Sequence, residues 1–184
     1  TRQQPKGPPR GIWYGLTQWE ITLAEMLSDT GYATGMFGKW HLGDAAGRYP
    51  TDQGFDEWYG IPNSSDQAFW PDSDSFQSDA GVEFTRIMTS TRNQTPKKHE
   101  VYGRAKRATV DREITDHALD FMRRKAKTQQ PFFAYLPYTQ THEPVDAHPD
   151  FKGSTGNGSF ADVLAQTDAY VGELLAKIDE LGLK

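Results

Sequence analysis

Apolar positions between residues 21 and 27 recur with the period of a helix, Leu23, Met26 and Leu27 making one face. Thr22 followed three residues later by Glu25 is a capping-box pattern, and Ile21 and Met26 stand where a hydrophobic staple closes. Gly31 suits the position just past the helix end. Residues 32–37 (Tyr-Ala-Thr-Gly-Met-Phe) then read as a short buried strand, running into the glycine-punctuated stretch Gly38-Lys39-Trp40-His41-Leu42-Gly43. Helix, glycine, strand and glycine-rich loop form half of a βαβ unit.

The rest of the pattern is uneven. Residues 1–19, rich in Pro, Gly and basic groups, read as an irregular opening segment. Residues 55–61 and 82–88 suit strands, whereas most of 44–108 reads as loop, including the acidic run 72–79. A helix is predicted over about 110–125, with Thr109 as N-cap, a stripe of Ile114, Ala118, Phe121 and Met122, and Arg123, Arg124 and Lys125 suiting its negative end. Residues 132–138 (Phe-Phe-Ala-Tyr-Leu-Pro-Tyr) form an apolar run of strand length, followed by a loop with His142-Glu143-Pro144. Ser159 with Asp162 is read as the cap of a long helix whose face is Val163, Leu164, Thr167, Val171, Leu174, Leu175, Ile178 and Leu181, ended by Gly182. Strand-like runs that precede polar loops and alternate with helices predict an α/β layered sheet flanked by helices, with its functional loops at the carboxyl ends of the strands.

Composition narrows this picture. The 184 residues suit one domain with a sizeable core, and 12% aromatic residues argue against a disordered tail. The absence of cysteine excludes disulfides, Cys-based zinc sites and a thiol nucleophile within this stretch. A net charge of −5 argues against binding to a nucleic-acid backbone. No apolar run has the length of a membrane span, and Thr1-Arg2-Gln3-Gln4-Pro5-Lys6 lacks the features of a signal peptide, so the chain reads as the middle of something.

Several motif matches fail on their chemistry. Gly38-Lys39 would end a phosphate-binding loop, but Ala33 stands at its first glycine and Trp40 at its Ser/Thr. Asp72, Asp74 and Glu83 fit positions 1, 3 and 12 of a calcium loop, yet Phe76 and Gln77 replace an oxygen ligand and the glycine. The sequons at Asn63, Asn93 and Asn157 are of a kind common by chance. His99 and His117 read as surface or half-buried histidines. His142, Glu143, Asp146 and His148 crowd one loop, but no second cluster completes a metal site.

The loop 38–43 is the stronger candidate. Lys39 and His41 project to one side if the strand continues, and the flanking glycines permit a sharp turn and a close approach to a ligand. Lysine offers a compact cationic donor for an oxyanion and histidine moves protons near neutral pH. Chemistry alone leaves two readings open, an oxyanion site or a strand end with ordinary polar residues.

At this loop the sequence resembles the sulfatase family of the alkaline-phosphatase-like superfamily. The resemblance rests on Ile21 to Leu27, on Gly31 through Gly43, on Gln53-Gly54-Phe55-Asp56-Glu57 and Gly60-Ile61-Pro62-Asn63-Ser64-Ser65-Asp66, on Pro131 to Tyr138 leading into Thr141-His142-Glu143-Pro144, and on Asp168-Ala169-Tyr170-Val171-Gly172. It implies an alkaline-phosphatase-like α/β fold, of which this chain is a central part. It implies one partial catalytic domain over residues 1–184, with 67–108 a variable loop-rich region. It implies a sulfuric ester hydrolase in which Lys39 binds a sulfate oxygen and His41 hydrogen-bonds a formylglycine nucleophile and later acts as base. His142 would donate to the leaving alcohol or help hold the sulfate, and Ser64 would contact the sulfate.

The departures are as informative. The Cys/Ser-x-Pro-x-Arg motif that matures to formylglycine does not occur in this chain, the nearest echo being Pro8-Pro9-Arg10. The aspartate pair and Asp-Asn pair that hold the family's calcium ion are likewise not found. The expectation is therefore a Lys-and-His wall, inactive alone, whose Ca2+ and nucleophile lie on other segments. Those segments, or oligomer partners, are expected to cover exposed sheet edges. The expected substrate is a sulfate ester and the expected compartment periplasmic, secreted or lysosomal. A phosphate or phosphonate ester hydrolase of the same superfamily and a non-catalytic binding module with the same fold are the alternatives.

Overall fold

The computed structural model describes residues 15–65 and 84–183. Residues 1–14 of the opening segment, all of the acidic run 72–79 and the failed calcium loop, including Asp72, Asp74, Phe76, Gln77 and Glu83, lie outside the described residues.

The first helix, α1 (Leu23–Asp29), forms because both its ends are closed locally. Thr22 Oγ1 accepts from the Glu25 amide at 3.0 Å while the Glu25 carboxylate accepts from the Thr22 amide at 2.7 Å, the capping box read from the sequence. At the other end the Tyr32 amide donates to Leu27 O and the Gly31 amide to Ser28 O, a Schellman closure with Gly31 at φ 93°. The predicted apolar face is not the buried one. Leu23 and Met26 are 58% and 57% exposed and Ile21 80%, so the staple encloses nothing, and it is Ala24 that packs inward.

Strand β1 (Ala33–Lys39) follows and occupies the middle of the parallel part of a five-stranded sheet. Its neighbours are β2 (Glu57–Ile61) on one side and β5 (Phe132–Tyr135) on the other, both parallel to it. Beyond β2 lie two antiparallel strands, β3 (Arg86–Thr91) and β4 (Lys97–Val101), so the order is β4-β3-β2-β1-β5. The predicted strand over 82–88 is met by β3 from Arg86, and residues 89–101 continue it into a hairpin where loop was expected. The reason is chemical: β4 is Lys-Lys-His-Glu-Val, an edge strand kept charged and exposed, with no apolar alternation to betray it. The run 132–138 stays strand only to Tyr135, and Pro137 has no amide to continue the ladder.

Helices cover one face of the sheet. Helix α2 (Arg104–Lys127) lays Val110, Ile114, Ala118 and Phe121 on Ala33, Phe37, Tyr59 and Ile61. The alternate residues Met36, Trp58 and Met88 point to the other face, where Ala24, Trp40 and Phe55 close a second core. Helix α2 begins at Gly103 rather than at Thr109, because nothing in Arg104–Ala108 opposes helix. Thr109 is an interior residue whose hydroxyl turns back to Lys106 O. Helix α3 (Ser159–Glu180) is capped by Gly158, and Asp162 serves a different end, accepting from the amides of Gly153 and Thr155 and from the Thr155 hydroxyl at 2.7–3.1 Å. Its predicted face divides: Val163 is buried, whereas Leu164, Val171 and Leu175 are exposed, and Tyr170, outside that face, is buried. The described residues include no helix long and apolar enough to cross a membrane.

Candidate active site

Parallel strands β5, β1 and β2 end on one edge of the sheet. From β1 the chain first moves to β2 on one side and later returns to β5 on the other, so that edge is a switch point, where open α/β sheets keep their ligand crevice. Two glycines bring the three strand ends unusually close. A Cβ on Gly38 would lie 2.1 Å from Pro137 O, and one on Gly60 would lie 1.9 Å from Gly38 O. Gly38, expected to permit the approach of a ligand, permits the approach of the neighbouring strand end. The Lys39 amide donates to Pro137 O, the Trp40 amide to Ile61 O and the His41 amide to Pro62 O, each at 2.9 Å. Residues 39–41, 61–62 and 137 therefore share one edge, and Ser64 and His142 lie on the loops that leave it.

Lys39 is half-buried, and among the described residues its ammonium has neither an acidic nor a hydrogen-bonding partner. Ser64, three residues past the end of β2, is 1% exposed, and its hydroxyl is likewise unpartnered among the described residues. A half-buried cation and a buried orphan hydroxyl on one edge both lack what an oxyanion supplies. His41 is exposed and lies at φ 60°, in the left-handed region. The strand therefore does not continue through it, and the same-side projection expected of Lys39 and His41 does not follow from alternation. A non-glycine residue held in this region is a strained position of the kind that gathers at functional sites. Asn63 Nδ2 donates to Asp44 Oδ2 at 2.9 Å, fastening the loop after β1 to the end of β2, and Trp40 Nε1 donates to Arg48 O at 2.7 Å within that loop.

His142 is exposed, on the loop after β5. Its Nδ1 lies 2.9 Å from Glu143 O. A carbonyl can only accept, so Nδ1 carries a proton and Nε2 is the nitrogen that exchanges one. The loop is held from beneath by two residues that sequence reasoning missed. Arg107, wholly buried, donates to the Thr139 hydroxyl; it also donates to Thr139 O, Gln140 Oε1 and His142 O at 2.7–3.0 Å, and through Nε to Pro144 O at 3.0 Å. Asp111, one turn further along α2, accepts from the amides of Thr139 and Gln140 and from the Thr139 hydroxyl at 2.8–3.0 Å. Burial pushes the Asp111 carboxyl above its ordinary range against these hydrogen bonds and the Arg107 charge, which pull it down. A signal was present: positions 107 and 111 fall within the apolar stripe of Val110, Ile114 and Ala118, where charged residues are rare unless paired.

The residues grouped as a metal loop are otherwise engaged. Asp146 pairs with Arg104 at 3.0 Å, and His148 Nδ1 accepts from the Asp150 amide. Among the described residues no group of three or more His, Asp or Glu side chains fits a metal ion.

The family model described as Sulfatase matches residues 3–184. The chain is 31% identical over 173 residues to N-acetylgalactosamine-6-sulfatase of Canis lupus familiaris, covering 94% of this chain and 32% of that protein. It is 34% identical over 181 residues to arylsulfatase A of Homo sapiens, covering 92% of this chain and 34% of that protein. The chain thus spans about a third of the length of the curated relatives it matches. Among solved structures, the PsFucS1 sulfatase from Pseudoalteromonas sp. superposes with a TM-score of 0.82 at 22% identity, over 94% of this chain and 38% of that one, which speaks for the fold.

Proposed function

Since the chain belongs to the sulfatase family, we propose that it forms one wall of a sulfate-ester hydrolase active site, as a single partial catalytic domain. The observation that carries this reading is the unpaired, half-buried Lys39 ammonium on the same edge as the unpartnered Ser64 hydroxyl. Lys39 binds a sulfate oxygen and meets the charge that grows on it in the transition state, and Ser64 donates its hydroxyl to the same group. His142, protonated on both ring nitrogens, gives the Nε2 proton to the departing alcohol oxygen. His41 is held at the strand end to exchange a proton with the nucleophile.

A formylglycine hydrate, where the complete protein carries it, supplies the attacking oxygen. The described residues hold no ligand set that fits the Ca2+ ion expected of the complete protein. The family resemblance also favours a periplasmic, secreted or lysosomal setting.

The test is turnover of 4-nitrophenyl sulfate and 4-nitrophenyl phosphate by the complete protein. Lys39→Ala is expected to lower kcat/KM for the sulfate by about 100-fold to 1,000-fold. Preference for the phosphate ester would move the assignment to a phosphate hydrolase, and turnover untouched by Lys39→Ala would remove the site.

A further inference from the structure

A buried guanidinium is expensive unless each of its donors is met, and apolar residues fill the same volume at less cost. Arg107 nevertheless sits wholly buried in the apolar stripe of α2, and every hydrogen bond of its side chain goes to residues 139–144. The pattern of carbonyls is specific. Those of His142 and Pro144 accept from Arg107, while the one between them, Glu143 O, accepts from the His142 ring. Asp111 grips the start of the same loop through two amides and the Thr139 hydroxyl, which Arg107 also touches.

We propose that Arg107 and Asp111 are positioning residues that fix the peptide planes around His142, so that its imidazole keeps the proton on Nδ1 and presents Nε2 to the leaving group. The proposal rests on the sulfate-ester reading for its catalytic consequence, and on the loop geometry alone for the orientation of the ring. Neither residue touches substrate. Each acts through the loop: rotation of the 142–144 peptides would move Glu143 O away from Nδ1 and release the ring.

The experiment uses the complete protein with Arg107→Lys, Asp111→Asn, His142→Ala and the double variant Arg107→Lys/His142→Ala. Thermal melting confirms that each is folded, and Asp111→Asn, which keeps the size and one acceptor oxygen, serves if Arg107→Lys does not fold. The substrates are aryl sulfates of graded leaving ability, from 4-nitrophenyl to phenyl sulfate. Arg107→Lys is expected to lower kcat by about 10-fold to 100-fold with KM within about threefold, because a small misplacement of a catalytic group is costly. The loss should grow as the leaving phenol becomes less acidic, as it does for His142→Ala, and the double variant should be no slower than His142→Ala alone.

Equal losses across the series, or losses that multiply in the double variant, would overturn the assignment. Nitrogen-15 spectra of the labelled His142 ring separate this outcome from failure of the sulfatase reading. At a pH where the ring is neutral, the parent should show the Nδ1-protonated tautomer, and Arg107→Lys a mixture of the two tautomers. An unchanged ring spectrum would sink the positioning role, whether or not any sulfate ester is turned over.

Discussion

The two ends of the parallel strands are built on opposite rules. At the amino end, the polar groups named here complete one another. Asp56 accepts from the Thr34 amide and from Arg92 Nε, each at 2.9 Å, and Arg92 Nη2 goes on to Ser28 Oγ and Gly54 O. Thr34 Oγ1 donates to Gly54 O and accepts from the Asp56 amide. At the carboxyl end the backbone is as well tied, through the amides of Lys39, Trp40 and His41, but the Lys39 ammonium and Ser64 hydroxyl are left unmet among the described residues. Polar groups satisfied within the fold serve stability; those left open in a rigid frame are available to a ligand.

The sharpest way to break this contrast is to measure turnover at both ends. His142→Ala and Lys39→Ala should each cost about 100-fold or more in kcat/KM on 4-nitrophenyl sulfate. Asp56→Asn, at the amino end, should change it by less than about threefold per folded molecule, and an equal loss there would erase the division. Next in size is the packing of the strand ends. Gly38→Ala sets a Cβ 2.1 Å from Pro137 O at a φ of 140°, and should destabilise by about 3 kcal/mol, lowering Tm by roughly 6–12 °C in calorimetry. Gly31→Ala also needs a positive φ but meets no atom within 4 Å, so its cost should be about 1 kcal/mol.

Smaller again is the exchange of one polar group at each end. Asp56→Ala strips Arg92 and the Thr34 amide of an acceptor, but the pair is over a third exposed, so about 1 kcal/mol in chemical denaturation is expected. Ser64→Ala deletes a hydroxyl with no partner to lose and should leave stability within about 0.5 kcal/mol, while raising KM about threefold to tenfold. A fall in stability there as large as that of Asp56→Ala would mean that Ser64 is structural.

The smallest effect at neutral pH is alkaline. Burial pushes the Tyr170 phenol up to about 12, outweighing the Arg112 guanidinium over its ring. An unfolded tyrosine ionises near 10. The folded state therefore holds its proton more tightly, and the stability this contributes is complete below about pH 10 and is lost as pH rises toward 12. Denaturant midpoints over that range, with Tyr170→Phe as the comparison, should show the slope and its loss.

Much of the parallel core was legible because its signals are local. The capping box at Thr22 and the glycine at position 31 fix the seven-residue α1 from its immediate flanks, and the run into Lys39 reads as a strand because both of its faces are buried. The hairpin was not legible, since Lys97–Val101 carries the charges of a protected edge and forms a strand only through pairing with β3. The candidate site divides in the same way. Lys39, His41, Ser64 and His142 stood out through motif and resemblance, and the fold brings their strand ends to one edge. Arg107 and Asp111 depend on contacts across 28 to 37 positions, and the helix read from the sequence began after Arg107 and so excluded it. The face of α1 was misread because periodicity reports which residues share a side, not which side meets the sheet.

The amide bonds of Lys39, Trp40 and His41 to Pro137, Ile61 and Pro62 have a consequence for when the site is assembled. These bonds carry the pairing just past the ends of the ladder, so hydrogen exchange at the three positions should be slower than in an unpaired surface loop. The arrangement that an incoming anion meets is settled while the chain folds. Little ordering of this backbone is left to be done on binding, so the charge of Lys39 acts from a frame already set.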